Sequence, residues 1–160
     1  MHFCAAFIRP QARRAAAAFL AAAALAGCKD TRPASTLSAA DKQALDNYEQ
    51  IRVALAADDA RTAKKAAAKM VADLKPADDK APAPPLLAPA DAVANASALD
   101  TMRQRFETLS DRVVPMVRGL DGYYVVTSDL PNTVPWVQRT KDVDNPFVGK
   151  ALHWIGEVRK

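Results

Sequence analysis

Cys28 and His153 carry most of the ligand chemistry in this sequence, and each sits in a context that narrows its use. Cys28 ends the run Leu25-Ala26-Gly27-Cys28. Ahead of it Ala15 to Ala26 is apolar and uncharged, and Arg9, Arg13 and Arg14 precede that stretch. A bilayer core about 30 Å thick needs about 20 apolar residues to cross, so the run is too short to span. A short apolar run behind a basic start has the pattern of a secretion signal. Small residues followed by a cysteine look like a lipobox, in which the cysteine sulfur takes diacylglycerol and the freed amine usually a further acyl chain. Two or more chains anchor stably, because each buried CH₂ contributes about 0.8 kcal/mol. The pair Arg13-Arg14 hints at twin-arginine export, but the alanines after it do not extend that pattern.

His153 is the one histidine left once residues 1–27 are removed, since His2 lies in the signal, as does Cys4. A serine or cysteine nucleophile needs a histidine base placed beside it. Ser128 and Asp129 lie upstream of His153 at a spacing that carries no information. The chain has no Gly-rich phosphate loop, no HExxH, no cysteine pair at zinc spacing and no Gly-x-Ser-x-Gly. Asp142 and Asp144 read as turn residues rather than a carboxylate pair. The expectation is therefore no enzyme. One imidazole nitrogen of His153, with nearby carboxylates, is the remaining metal candidate for copper or zinc, and one ligand alone binds weakly.

Charge narrows the partners further. The chain has 22 basic and 18 acidic residues, for a net +4, and losing three arginines with the signal leaves +1. A nearly neutral domain of mixed sign gives no electrostatic case for nucleic acid. The organisation expected is a signal peptide over 1–27, a tether over 28–36 and one domain over 37–160. The eight residues 29–36 reach about 26 Å when extended, enough to hold a domain clear of lipid head groups. Lys29 rather than aspartate follows Cys28, which points to the outer membrane in bacteria that use aspartate for inner-membrane retention.

Within the domain, Ser38 with Asp41 predicts a capped helix start, and Leu45, Tyr48, Ile51 and Leu55 form its apolar face, with Lys42, Asp46, Glu49 and Arg52 mostly off it. Asp58-Asp59 predicts a break. A second helix follows with Ala60, Ala63, Ala67, Met70 and Leu74 on one side and a solvated lysine face of Lys64, Lys65 and Lys69. Five prolines make 75–90 a loop, with a minor helix near 87–97. Leu99, Met102, Phe106, Leu109, Val113, Met116 and Leu120 step by three and four, a coiled-coil-like seam. Asp91 or Asp100 is the candidate cap, Pro115 an expected bend and Gly119 the stop. Short strands are expected at 123–127, 136–138 and 153–158. The fold class is thus mainly α: a small antiparallel helical bundle of three to four helices, with a C-terminal extension carrying short β-strands.

Two stretches resemble a known family. Tyr48 to Asp59 is similar to the first helix and turn of a periplasmic family labelled domain of unknown function 3347. Trp136-Val137-Gln138 followed by Asp144-Asn145-Pro146-Phe147-Val148-Gly149 and Leu152-His153-Trp154-Ile155-Gly156-Glu157-Val158 looks like its closing motif. The resemblance implies a helical bundle with such a tail, found alone or fused to periplasmic adaptors of copper-efflux pumps. The family's tail carries Cys-Pro-Met before the tryptophan, where Thr127-Ser128-Asp129 stands here. Leu152 and Ile155 occupy places of a methionine and a cysteine. Soft Cu(I) prefers thiolate and thioether ligands. The expectation is a retained scaffold with a degenerate metal site: a non-enzymatic envelope lipoprotein acting through an envelope protein partner. The alternative is a periplasmic copper protein using His153 and carboxylates.

Overall fold

The computed structural model describes residues 37–78, 80–131 and 133–159; the expected signal peptide over 1–27, the expected lipidation site Cys28 and the expected tether up to residue 36 lie outside them. Helix α1 spans Ala39–Ala56. The Ser38 hydroxyl accepts from the Asp41 N–H at 3.0 Å, and the Asp41 carboxylate accepts from the Ser38 N–H at 3.2 Å. This reciprocal pair satisfies two of the donors a helix start leaves free. Asp58 ends the helix in the left-handed region at φ 59°, which aspartate tolerates better than most side chains. Asp59 then caps α2 (Ala60–Leu74) by accepting from Thr62 N–H at 2.9 Å.

Asn47, at the middle of α1, bonds Asp73, near the end of α2, across a short turn at 57–59, so the two run antiparallel. On the other side Tyr48 meets Ser110 and Leu55 meets Arg103, a falling register that makes α4 (Leu99–Val117) antiparallel to α1. Ala63, Ala66, Ala67 and Met70 of α2 are buried, while Lys64, Lys65 and Lys69 are exposed. The alanines let helices approach closely, and Tyr48, Ile51, Leu55, Phe106 and Leu109 fill the resulting core.

Several boundaries differ from expectation. The proline-rich loop ends at Leu86, because Leu87–Ala94 is already helical as α3. Pro89 lies in its first turn, where a missing N–H forfeits no intrahelical bond. The minor helix stops at Ala94, three residues short, as the Asn95 side chain turns back to the Asp91 carbonyl at 3.0 Å. Asp91 and Asp100 are not caps: the cap positions are Leu86 and Ala98, neither with a side-chain bond. Met102, Phe106, Leu109 and Val113 are buried as the seam requires, joined by Val114 and Val117, and Leu120 falls beyond the helix.

Strands β1 (Tyr124–Thr127), β2 (Trp136–Gln138) and β3 (Glu157–Arg159) form an antiparallel sheet in the order β2-β1-β3. The last strand was expected at 153–158; instead His153 and Trp154 lie in a turn, since Leu152 and Ile155 close turn bonds to Gly149 and Leu152. Alternation splits the sheet's two faces. Val137 joins the helical core, while Trp136, paired with Val126, faces the other way.

Candidate functional site

The segment 139–156, between β2 and β3, is fastened to the helices by two arginines. Arg52 of α1 is 2% exposed, in contrast to the expectation that sets it mostly off the apolar face. Its guanidinium grips Glu49 in a fork, with Nε–Oε2 at 2.9 Å and Nη2–Oε1 at 3.0 Å. It also donates to the Asp144 carbonyl and, at 3.0 Å, to Asp144 Oδ2. Burial alone would lower the pKa of Arg52, but the Glu49 hydrogen bonds and charge, with those of Asp144, outweigh it and hold it above its ordinary value. Such a fork suits arginine and not lysine.

Arg103 of α4 makes the second clasp. It donates to the Pro146 carbonyl at 3.1 Å and the Leu55 carbonyl at 2.9 Å, and pairs with Asp58. Asp58 also accepts from the Lys150 N–H at 3.1 Å. The Arg103 bond first, and the Lys150 bond second, hold the Asp58 carboxyl below its ordinary range. A depressed folded-state value means this contribution is present above the ordinary carboxylate range and is lost as pH falls through the depressed value. Gly149 packs into the clasp at φ +73°, and a Cβ there would run into the Asp58 carboxylate and the Arg103 guanidinium.

Between the clasps the segment seats Phe147. Ring centroids step from Tyr48 to Phe106 at 4.8 Å, on to Phe147 at 5.9 Å and to Trp136 at 5.9 Å. This aromatic row joins the helical core to the far face of the sheet. Its polar tips are satisfied. Tyr48 Oη lies 2.8 Å from Ser110 Oγ and accepts from Val137 N–H at 3.3 Å, and Trp136 Nε1 donates to Gln138 Oε1 at 3.1 Å. Burial raises the Tyr48 hydroxyl well above its ordinary range, so it stays a neutral structural group. Asn145 holds the turn by donating to the Ile155 carbonyl at 2.8 Å and accepting from Phe147 N–H at 2.9 Å.

His153 sits beside this clamp, with its side chain 46% exposed. Its Nδ1 lies 3.0 Å from Asp144 Oδ1, while Arg52 holds the other oxygen of the same carboxylate. Ser128 is occupied elsewhere, accepting from Leu130 N–H at 3.2 Å. Among the described residues, no group of three or more His, Cys, Asp or Glu side chains is placed to hold a metal. Leu152 and Ile155 supply hydrocarbon, and one imidazole with one carboxylate already shared with Arg52 does not fit a soft-metal centre. Sequence reasoning found His153 but missed Arg52 and Arg103. A signal for Arg52 existed: Leu45, Tyr48, Arg52 and Leu55 step by three, four and three, which places it on a buried stripe.

Comparison with known families adds one match. Residues 44–122 match the family described as protein of unknown function (DUF3347). The DUF3347 match runs from within α1 to the turn before β1, so it takes in most of α1 and the whole of α2, α3 and α4 and stops short of the sheet and the clamped segment. The description names no activity, metal or compartment. No curated protein and no solved structure matches the chain.

Proposed function

We propose that the chain is a non-enzymatic bacterial envelope lipoprotein, anchored through Cys28, whose helical domain acts by binding a partner within reach of its tether. The reading rests above all on Leu25-Ala26-Gly27-Cys28 behind an apolar run with a basic start. The domain begins promptly after the tether, with the capped start of α1 at Ser38. No helix among the described residues is long and apolar enough to cross a membrane. A copper-efflux-associated ancestry, with its metal ligands replaced, is part of the same proposal. It is supported by the closing-motif resemblance and by the apolar residues at the sulfur positions.

The test is to express the full chain in a bacterium fed an alkyne-tagged fatty acid. The wild type takes up the tag and fractionates with the outer membrane, and Cys28→Ser loses the tag and becomes soluble after osmotic release. Equal labelling of the variant would sink the reading.

One observation favours a second reading, a periplasmic copper- or zinc-binding protein. Metal-ligating histidines commonly engage a carboxylate through the other ring nitrogen, as His153 Nδ1 does with Asp144. Nε2 would then be the ligand atom. Titration with Cu(I), Cu(II) and Zn(II) separates the readings: saturable binding tighter than ~1 μM that vanishes in His153→Ala favours the metal protein. No saturable binding removes it.

A further inference from the structure

A groove of about 680 Å³ opens where the end of α4 meets the sheet. Its floor is apolar, built by Val114 and Val117 of α4, Leu120 after it, and Val125 of β1. Tyr123 and Tyr124, both half-buried, form one wall. Tyr123 is held in place from outside the groove. The Arg139 guanidinium lies 5.4 Å from its ring centroid, and Arg139 is itself paired with Asp46 of α1. That contact favours one placement of the Tyr123 ring, which lowers what a ligand must spend on ordering it.

The rim is cationic. Arg118, Lys141 and Arg159 line it against one acid, Asp121. Among the described residues neither Arg118 nor Lys141 has a carboxylate within the 4.0 Å of an ion pair. Arg159 is steadied through Nε by Thr127 Oγ1 at 2.9 Å, and its nearest acid, Glu157, is 3.5 Å away and largely exposed. Elsewhere on the domain the arginines that structure the fold are paired: Arg52, Arg103 and Arg139 each hold an acid. What this groove combines is two cations without an ion pair, Arg118 and Lys141, with apolar side chains in one concavity.

We propose that the groove binds a small organic anion with an apolar body, such as a medium-chain or aryl carboxylate. The tail would lie on the half-buried Leu120, Tyr124 and Val125, and the head would meet the Arg118 and Lys141 cations. The volume falls in the range of small-molecule sites, about 300–1,000 Å³, and the lining joins apolar and aromatic side chains to a cationic rim, which suits an amphiphilic anion. The alternative source of the same chemistry, an anionic lipid in a bilayer, is an outcome of the test. The proposal does not depend on lipidation of Cys28.

The full chain is titrated calorimetrically with decanoate below its micelle concentration, and in parallel with decanol. Saturable one-to-one binding of decanoate is expected, with decanol at least tenfold weaker. Arg118→Gln with Lys141→Gln is expected to weaken decanoate at least tenfold while the circular dichroism spectrum stays that of wild type. The control pair Lys64→Gln with Lys65→Gln, on the exposed face of α2, leaves it unchanged. A smaller change, Val125→Thr, keeps the shape and is expected to weaken decanoate through the floor. Equal binding of decanol, equal weakening by the α2 control, or binding only to phosphatidylglycerol vesicles and not to free decanoate would each overturn the proposal.

Discussion

Arg52→Met is expected to lower the domain's stability by about 3 kcal/mol, read as a shift of the urea unfolding midpoint with little change in slope. Removing one partner of a buried ion pair commonly costs about 3–5 kcal/mol, because the acids left behind lose their counter-charge. The lower end applies here, since the Glu49 and Asp144 side chains keep 19% and 30% exposure and water can partly solvate them. The backbone carbonyl of Asp144 also loses its donor. Methionine replaces the stem's packing but none of the five-donor fork. Arg52→Lys is expected to recover only part of the loss, because one ammonium cannot hold Glu49 in a fork and reach Asp144 as well. Local release has its own readout: limited proteolysis should cut first within 139–156, since that segment loses one of its two clasps. A variant as stable as wild type would show that the buried network contributes nothing net.

Trp136→Ala is expected to cost more, about 4 kcal/mol, within the 3–5 kcal/mol typical of a buried Trp or Phe truncated to Ala. Trp136 is fully buried, packs edge-on to Phe147 at 5.9 Å and lies so close to Gly156 that a side chain there would strike its ring. Its loss leaves a cavity bounded by β2 and the clamped segment, and Gln138 Oε1 keeps only the longer bond from Asp144 N–H at 3.4 Å. Trp154→Ala is the matched comparison. Trp154 is 64% exposed, so that change is expected to stay within about 0.5 kcal/mol. The same pair supplies the optical probe. With Trp154→Phe in place, the one remaining indole is the buried Trp136, and its emission should shift to the red as the domain unfolds. Similar costs for the two alanine variants would contradict the burial described for Trp136.

The local rules were legible where a few neighbouring residues decide the outcome. Ser38 with Asp41, the Asp58-Asp59 break and the spaced apolar residues of α4 needed no tertiary information, and each stands as read apart from the residues just past Val117. The boundaries that moved are those set from far away. β3 lies at Glu157–Arg159 because it must meet Val125–Thr127 in register, and no local signal at 153–158 encodes that pairing. Arg52 was misplaced for a similar reason. A charged residue on a buried stripe reads as surface until the two acids that accept it are known, and Asp144 lies ninety-two residues away. The candidate site was half legible: His153 stood out by its chemistry, but its link to Asp144, and through it to Arg52, follows from the folded path of the chain.

The position of β3 in the chain has a consequence for the order of assembly. Helices α1 to α4 pair with near neighbours, yet β1 stays an open edge until residues 157–159 arrive, and Arg52 waits for a carbonyl that follows it by ninety-two positions. Closing so large a loop carries an entropic cost that the late contacts must repay together. On a ribosome releasing this chain from its amino end, all four helices would emerge before residues 157–159, and β1 would gain its second neighbour only after that strand had followed.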